Sequence, residues 1–557
     1  MHVQKKLTAF ELNQSSQHFH SLHFLQNPGT LTWIAIVAGV CLRLFHFFYN
    51  RSLWTDEAYL SNSIIRMDFL RLAAPPLEYE QKAPIGFLWT VKLSVLAFGK
   101  KEMALRLFPL ICSISSLFVF KRVAGYFLKP TGVLIALAIL AISPPIIYYA
   151  VEAKQYATDL LATCIALYLY LHYHQRKDFS AQLLWGLGGA LIIWFSYPAI
   201  FILAGMAFAL CLHHLVQRNW QSFFRCMLPF SIWLLSFAVN YLLFTHKHAD
   251  SQWLIVWFGG HKSFMPLPPT SLKDLTWFIT MPLSMLHFAL GLSWLDLNYN
   301  YTPFVRIIAR MPLLPLLGLA LGAVIFFRQD KKHFLVIIFP FLLAMLASSL
   351  KMYPLFERLF LFLAPLLILF IARGYQQVLI SLPDRRWKYI IPVLLLAGAA
   401  GNSLYTFLRP ANFGRHAKNM TGREVLLYVN DNVQEGDGVY IYWNFEPIYR
   451  YYKEAYHLKY EAVVGQDVRS ASKNAAEYSY KLTPDIDKLL GYKRVWLVYN
   501  KYRRFTIGDY INKPAWYHSS GFHPGQVVHQ KLSEAGKVVD NYQTREVNVS
   551  LFELTNE

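Results

Sequence analysis

The sequence predicts an α-helical polytopic membrane protein of about eleven spans, with interfacial helices and a C-terminal α/β domain outside the membrane. Three observations predict this class. Hydrophobic residues make up 55% of the 557 residues, and charged residues make up only 15%. Several apolar runs reach the ~20 residues that a helix needs to cross a bilayer. After Leu408 the hydropathy falls sharply, so a polar domain follows the membrane part.

The chain begins with a polar segment, residues 1–29, which is followed by an apolar run at 31–49. No small-residue cleavage site follows this run, so we expect it to be retained as a span and not removed as a secretory signal. We predict that the N-terminal segment is cytoplasmic, because the basic loops between later spans then lie on its side of the membrane.

Thirteen apolar runs precede the polar domain, and two of them do not fit as spans. The run at 84–98 is short and contains a lysine, which fits a helix lying in the membrane interface. The run at 275–295 is interrupted by a proline and a histidine. With both runs on the outer surface, eleven spans remain in a membrane domain that covers residues 30–409.

The positive-inside rule then assigns the two faces. The basic loops that fall on the cytoplasmic side are KRVAGYFLK, HQRKDF, QRNWQSFFR, FRQDKKH and PDRRWK. One basic patch, GKKE at 99–102, falls on the outer side and disagrees with the rule. The acidic and unusual polar motifs all fall on the outer side, and they are WTDEA, EYEQKAP, VEAKQYATD, HKHADSQW and KMYPLFERL. The sequence therefore predicts a functional site at the outer face.

Residues 410–557 are predicted to form a small α/β domain on that face. A helix, a Gly-Asp turn and a strand are indicated by GREVLLYVNDNVQEGDGVYIYWN, and two further strands by KRVWLVYN and VNVSLFEL. From Ala411 onward the chain has 19 basic and 17 acidic residues, so nearly all of the net charge of +20 belongs to the membrane half. Lys and Arg in cytoplasmic loops account for that excess, and nucleic acid is excluded as a partner.

The cysteines do not indicate a disulfide framework or a zinc site, because all five lie within apolar segments. They are Cys41, Cys112, Cys164, Cys211 and Cys226. The polar domain also lacks a glycine-rich phosphate-binding motif, so a nucleotide site is not expected there.

The motif LWTDEAYLSN places two adjacent carboxylates, Asp56 and Glu57, where the chain leaves the first span. Placing a charged side chain near the hydrocarbon core costs free energy, so such a pair needs an explanation. One interpretation is a cap or first-turn acid for the next helix. The other is a general base or metal ligand at the membrane surface. The spacing alone does not decide between them.

The next outward turn, YYAVEAKQYATDLL, carries a second acidic group formed by Glu152 and Asp159, with Lys154 between them. Helix capping would also account for this group taken alone. Two acidic turns on one face, separated by two spans, favour a site.

Two basic residues on the same face are candidate phosphate ligands. Arg358, in KMYPLFERLFLFLAP, has a planar fork of donors that suits a phosphate, although an interfacial arginine that snorkels is the alternative. Lys82, in EYEQKAPIGFLW, is either a second phosphate ligand or an interfacial lysine.

These motifs resemble those of the GT-C integral-membrane glycosyltransferases, in particular the bacterial branch related to protein O-mannosyltransferases and lipid A aminoarabinose transferases. The resemblance covers most of residues 30–375 and rests on LWTDEAY, QKAPIGFLWTVKLSVLAFGKKEMALRLFPLI, ISPPIIYYAVEAKQYATDLL and YPLFERLFLFLAPLL. Two departures concern the second motif. Gln81 stands where the family often has an acidic residue, and KAP replaces the commoner KPP.

The resemblance implies an inverting hexosyl- or pentosyltransferase in the bacterial inner membrane, with its active site facing the periplasm or exterior. The implied donor is a polyprenyl-phosphate sugar, and the implied acceptor is an envelope lipid, glycan or protein. By match to the family motif, Asp56 would be the catalytic acid/base residue, with Glu57 adjacent. Either Glu152 or Asp159 would supply the second acidic position.

The resemblance also implies the residues that bind the donor. Lys82, Lys154 and Arg358 would bind its phosphate, and Tyr59 and Tyr353 would line the substrate. No cofactor is expected to be required, although two acidic turns could hold a divalent cation.

A transporter or flippase of lipid-linked sugars is the alternative function. It predicts charged groups near the bilayer midplane and an inverted repeat. Most ionisable residues lie instead at the outer ends of the spans, with Arg43 as the main exception, and the sequence shows no repeat. An antigen-ligase-type enzyme is a third possibility, which the acidic WTDEA motif disfavours. We therefore favour the transferase.

Overall fold

The structure is a computed structural model that describes residues 27–74, 76–246, 252–293, 302, 304–305, 313–383, 387–414, 421–501, 515–518 and 524–555. The described chain is predominantly helical up to residue 414, and one five-stranded sheet is described beyond it. The predicted fold class, a helical membrane protein with a small C-terminal domain that contains a sheet, is confirmed. The interfacial position of the run at 84–98 stays a prediction.

The helices follow the apolar and acidic segments in chain order. In the first half they are α1 (Pro28–Tyr49), α2 (Thr55–Arg66), α3 (Phe69–Ala73), α4 (Ile85–Phe98), α5 (Glu102–Phe127), α6 (Pro130–Ile142), α7 (Pro144–Ala150), α8 (Tyr156–Tyr173), α9 (Phe179–Phe195), α10 (Ala199–Val216) and α11 (Trp220–Asn240). In the second half they are α12 (Gln252–Gly260), α13 (Leu272–Phe288), α14 (Leu313–Gln329), α15 (Lys331–Ser349), α16 (Ala364–Ser381), α17 (Trp387–Leu408), α18 (Gly422–Asn432), α19 (Glu446–Tyr456), α20 (Ala475–Lys481), α21 (Thr483–Asp487) and α22 (Pro524–Ala535). A 3₁₀ segment, Glu357–Leu363, leads directly into α16, and we call it the strap.

Seven of the described helices are long and apolar enough to cross a bilayer, or eight if the bent pair α6–α7 forms one span. The expected number of eleven is therefore not confirmed. Three expected spans account for the difference, namely α8, α9 and α14. Helices α9 and α14 have 17 residues each, which corresponds to ~26 Å and falls short of the ~30 Å hydrocarbon core. Helix α8 carries Asp159 in its first turn and is not among the seven.

The bend between α6 and α7 explains the arginine within the first span. The two helices meet at an angle of 55°, where Pro144 supplies no amide hydrogen to the last turn of α6. The Arg43 guanidinium donates to the carbonyl oxygens of Leu140 and Ala141, both at 3.0 Å, and to the Ser113 hydroxyl at 2.8 Å. Arg43 thus satisfies the carbonyl groups that the helix break exposes.

Helices α2, α3 and α4 connect the first two long helices, α1 and α5, at one end of the bundle. The lysine in α4 is buried, and the Lys92 ammonium donates to the carbonyl oxygen of Ile64 at 2.9 Å in the last turn of α2. A cation at the carbonyl end of a helix is favourable. Lys92 therefore connects α4 to α2. Its charge stabilises this contact between helices, which could not be predicted from its position in an apolar run.

The C-terminal domain contains a sheet of five described strands, β1 (Gly438–Ile441), β2 (Val463–Val464), β3 (Arg494–Asn500), β4 (Gly536–Gln543) and β5 (Val547–Leu554). The strand order is β2-β1-β3-β5-β4. Strand β1 pairs in parallel with β2 and β3, whereas β5 pairs antiparallel with β3 and β4. The three strands predicted from the sequence are β1, β3 and β5, and nearly all of their residues are buried.

The C-terminal domain packs directly on the end of the bundle that carries α2. The buried Glu102, at the start of α5, accepts hydrogen bonds from Tyr452 at 3.0 Å, Tyr456 at 2.7 Å and Arg423 at 3.0 Å. The Tyr452 hydroxyl also accepts from the Leu53 amide at 2.8 Å. The domain therefore contacts the segment that leads into the first acidic motif.

The same interface accounts for the basic patch that disagreed with the charge rule. The Lys100 ammonium lies 2.6 Å from the Glu454 carboxylate, and the Lys101 ammonium lies 4.8 Å from the centre of the Tyr456 ring. Both lysines thus have partners in the C-terminal domain. Their positive charges stabilise the contact with the C-terminal domain, so these two lysines do not indicate which side of the membrane they lie on.

Candidate active site

Asp56 and Arg358 form an ion pair at the end of the bundle that faces the C-terminal domain. The Arg358 guanidinium donates to the Asp56 carboxylate, with Nη2 and Oδ2 separated by 2.6 Å. The two side chains are 26% and 20% exposed. Residues 302 positions apart in sequence are therefore brought into contact while both remain accessible to a substrate.

Asp56 lies in the first turn of α2, but its neighbour performs the capping role there. The Trp54 amide donates to the Glu57 carboxylate at 3.4 Å, which is the reciprocal bond of a capping box. The Asp56 carboxylate points instead to Arg358. The helix start therefore does not require the Asp56 side chain, which weakens the capping interpretation of that residue.

Glu57 is fully buried and surrounded by donors. Arg106 donates to both of its oxygens at 3.0 Å, Arg51 donates at 3.1 Å, and the Ala153 amide donates at 2.9 Å. Burial by itself raises the pKa of Glu57, but the charges of Arg106 and Arg51 outweigh burial and lower the pKa to about 2. Since Ala153 belongs to the second acidic turn, Glu57 links the two acidic turns together.

Of the two candidates for the second acidic position, Glu152 lies beside the first acidic turn. The Trp54 indole donates to Glu152 Oε1 at 2.8 Å. The other oxygen, Oε2, is buried and accepts no hydrogen bond from the described residues. Asp159 lies in the first turn of α8, and its carboxylate lies near Ser196. The structure thus brings Glu152 to the Asp56 turn and directs Asp159 elsewhere.

Lys154 is held between the acidic turns and the segment before α4. Its ammonium donates to the Gln81 side-chain oxygen at 2.5 Å, and Asp56 and Glu152 lie within electrostatic range. Burial lowers the pKa of Lys154, and the two carboxylates oppose that shift. Gln81, which departs from the family motif, therefore acts as an uncharged acceptor for Lys154. Lys82 follows it, half-buried, and its carbonyl accepts from Gln155 at 3.5 Å.

Two aromatic residues that the sequence analysis did not single out hold Arg358 in place. The Tyr156 hydroxyl accepts a hydrogen bond from Arg358 Nε at 2.8 Å. The guanidinium carbon lies 5.5 Å from the centre of the Trp54 ring and 5.7 Å from that of Tyr156, within the range of cation–π attraction. The signal available in the sequence was the position of each aromatic residue, since both lie inside the quoted acidic motifs.

The two tyrosines expected to line the substrate lie at the margins of this centre. Tyr59, one turn after Asp56 on α2, stacks on Tyr79 with 4.6 Å between ring centres. The Tyr353 hydroxyl donates to the Leu359 carbonyl at 3.0 Å, which orders the strap. Tyr353 therefore supports the segment that carries Arg358.

Among the described residues no group of three or more His, Cys, Asp or Glu side chains could hold a metal ion. The divalent cation stays an untested expectation from the sequence. The charged groups that the structure gathers are Asp56, Glu57, Glu152, Lys154 and Arg358, with Lys82 adjacent.

Comparison with known proteins places this site in a recognisable context. A family model described as dolichyl-phosphate-mannose-protein mannosyltransferase matches residues 82–242. That segment begins at Lys82 and includes the second acidic turn with Glu152 and Lys154. The resemblance to GT-C membrane glycosyltransferases drawn from the sequence is confirmed. No protein of curated function matches the chain.

Several solved structures are similar to this chain at low sequence identity. ArnT from Cupriavidus metallidurans, in a crystal structure with undecaprenyl phosphate, is 12% identical with a TM-score of 0.49, covering 94% of this chain and 97% of that one. The oligosaccharyltransferase of Archaeoglobus fulgidus, in complex with zinc and sulfate, is 13% identical with a TM-score of 0.47, covering 84% of this chain and 67% of that one.

Proposed function

We propose that the protein is an inverting glycosyltransferase that moves one sugar from a polyprenyl-phosphate donor to an acceptor at the outer face of the membrane. The observation that carries this proposal is the accessible Asp56–Arg358 pair, in which a carboxylate and a phosphate-binding cation meet. The match of residues 82–242 to a mannosyltransferase family whose donor is a dolichyl-phosphate sugar supports the same donor class.

The chemistry assigns Asp56 the role of general base. It accepts the proton from the acceptor hydroxyl while that oxygen forms a bond to the anomeric carbon. The bond between that carbon and the phosphate oxygen breaks on the opposite face, and its electron pair leaves with the polyprenyl phosphate. Because attack and departure occur on opposite faces, the configuration at the anomeric carbon inverts.

The cations stabilise the negative charge that the departing phosphate develops. Arg358 is the first of these, because its planar fork contacts Asp56 and leaves further donor atoms toward a phosphate. Lys154 adds charge beside the acidic turns, where its ammonium contacts Gln81. We assign the ammonium of the next residue, Lys82, to the same phosphate. Donors fixed in a partly buried cleft act more strongly than the same groups in water. The buried Glu57 holds both acidic turns in place and does not contact substrate in this scheme.

The catalytic role of Asp56 depends on whether the acceptor group is a hydroxyl or a phosphate. A hydroxyl acceptor requires the base that Asp56 supplies. An acceptor that is itself a phosphate is already ionised, and Asp56 would then orient the acceptor and balance charge.

The position of Arg43 within a span was the main sequence feature in favour of a transporter. Arg43, which lies within the first predicted span, is fully buried and donates hydrogen bonds to Leu140, Ala141 and Ser113. Its charge therefore completes a helix break and does not line a path for a substrate.

Mass spectrometry of envelope lipids and glycans from cells with and without the gene tests the proposed transfer. We expect one sugar to be missing from one envelope component in the deletion strain, and to return with the wild-type gene. An unchanged set of envelope glycans together with impaired movement of a lipid-linked sugar across the membrane would support the transporter instead.

A further inference from the structure

A cavity of about 290 Å³ lies next to the proposed active centre. One wall is the strap and the residues before it, including Phe356 and Glu357. Glu357 immediately precedes Arg358, and its carboxylate lies 3.7 Å from the Arg358 guanidinium. The cavity is therefore one residue away from the pair that contains Asp56.

The opposite wall is formed by α13, whose cavity face carries hydroxyl groups at helical spacing. Thr276, Thr280 and Ser284 recur every fourth residue and so lie on one face of the helix. The Thr276 hydroxyl donates to the Lys273 carbonyl at 2.7 Å, and the Thr280 hydroxyl to the Trp277 carbonyl at 3.3 Å. Their protons are thus engaged by the backbone, and their oxygens remain as acceptors toward the cavity.

Aromatic and charged groups complete the lining. Trp277, Phe356 and Phe360 supply apolar ring surface, and the Trp277 indole is fixed because it donates to the Lys262 carbonyl at 3.1 Å. The charged residues that line the cavity are Lys262, Lys273 and Glu357, and His261 lies beside them.

The two walls are joined and locally strained. The Leu355 amide donates to the Ser263 carbonyl at 2.8 Å, which ties the segment before the strap to the loop that carries Lys262. Lys262 and Glu357 both adopt left-handed backbone conformations, with φ of 53° and 36°. At Lys262 this conformation is the usual end of a helix, since the Ser263 amide donates to the Phe258 carbonyl at 3.0 Å. At Glu357 it is costly for a residue other than glycine, and such residues cluster at functional sites.

From these observations we propose that this cavity holds the sugar ring that is transferred, and that this sugar is neutral or acidic and carries no free amine. The proposal rests on the proposed function, and it names the substrate class of that site. Ligand pockets begin at ~300 Å³, so a cavity of about 290 Å³ is large enough for one sugar ring. Aromatic rings pack on the apolar face of a sugar, and the threonine oxygens accept bonds from its hydroxyl groups. Because two lysines and one glutamate line the cavity, the net positive charge of the lining disfavours a cationic sugar.

The test fills the cavity without touching the Asp56–Arg358 pair. Thr280→Trp places a large ring in the cavity, and Ile279→Trp is its matched control because Ile279 is 69% exposed on the same helix and does not line the cavity. The full-length proteins are compared in lipid vesicles for binding of undecaprenyl phosphate, which has no sugar. They are also compared for consumption of synthetic undecaprenyl-phosphate hexose, uronic acid and aminohexose in the presence of envelope extract.

We expect Thr280→Trp to bind undecaprenyl phosphate as the wild type does and to consume sugar donors about 10²-fold more slowly, because the ring is displaced from the reacting geometry. Ile279→Trp should behave as the wild type, which should consume the hexose or the uronic acid donor and not the aminohexose. Three outcomes would each overturn the proposal. They are near-normal consumption by a folded Thr280→Trp protein, loss of undecaprenyl phosphate binding in that variant, and preference for the aminohexose.

Should Thr280→Trp fail to fold, Thr280→Met serves as the second variant. A wild type that consumes none of the donors would overturn the proposed function as well.

Discussion

The indole of Trp54 donates a hydrogen bond to the carboxylate of Glu152 at 2.8 Å, and so joins two outward turns that lie 98 residues apart in sequence. Trp54 also faces the guanidinium of Arg358, 5.5 Å from the centre of its ring. One aromatic side chain therefore contacts both the second acidic residue and the cation that pairs with Asp56. This contact explains why a tryptophan precedes the acidic pair in the motif.

A Trp54→Phe substitution tests that link. The phenyl ring keeps most of the apolar contact but lacks the N–H group, so Oε1 of the buried Glu152 loses its described donor and neither carboxylate oxygen then has one. We expect sugar transfer to fall roughly 10-fold, corresponding to a hydrogen bond to a charged group of ~1.5 kcal/mol. The measurement is kcat and KM for the donor, with a thermal melt as a control for folding. Transfer at the wild-type rate would show that Glu152 needs no support from Trp54.

Glu57→Gln tests the buried link between the acidic turns. The substitution leaves Arg51 and Arg106 without a counter-charge in a buried position, and breaking such a pair costs ~3–5 kcal/mol. We therefore expect a large drop in melting temperature at pH 7. The exposed Glu461→Gln is the control and should leave the melting temperature unchanged, because its partner Lys453 is also at the surface.

The pH dependence of the same variant supplies a second measurement. The folded-state pKa of Glu57 is lowered from 4.5 to about 2. Its contribution to stability is therefore complete above pH 4.5 and is lost as the pH falls through about 2. The wild type should lose this stability in that acidic window, and Glu57→Gln should lack the corresponding part of the acid transition. Identical acid transitions in the two proteins would contradict the assigned ion pairs.

Membrane orientation is tested with single cysteines in a background from which the native cysteines have been removed. We expect an impermeant thiol reagent added to intact cells to label a cysteine at Tyr480, which is 77% exposed in the C-terminal domain. It should not label one at Lys331, at the start of α15 in a predicted cytoplasmic loop. Labelling only at Lys331 would reverse the topology and place the proposed site on the wrong face.

Parts of the site were predictable because membrane topology constrains them. Charged motifs at the ends of different spans must lie on one of two faces, so counting spans and basic loops was enough to place Asp56, Glu152 and Arg358 on the same face. The direct contact between Asp56 and Arg358 agrees with that expectation.

Other parts depend on geometry that no local pattern encodes. The choice between Glu152 and Asp159 depends on how the chain turns after the bent pair α6–α7, which positions Glu152 opposite Trp54. The GKKE patch was misleading because its lysines pair with Glu454 and Tyr456, more than 350 residues later. The number of spans was uncertain for a similar reason, since packed helices of 17 residues lie between the lengths typical of spans and of buried helices.

The most direct test of the account is the rate of sugar transfer by Asp56→Asn. Asparagine matches aspartate in shape and caps a helix about as well, but it cannot accept the acceptor's proton. The matched control is Asp68→Asn, because Asp68 caps the neighbouring helix α3 by accepting from the Arg71 amide at 2.7 Å. With folding checked by thermal melts, we predict that Asp56→Asn lowers kcat by about 10² or more, whereas Asp68→Asn transfers sugar normally. Near-normal transfer by a well-folded Asp56→Asn protein would contradict the assignment of Asp56 as the catalytic base.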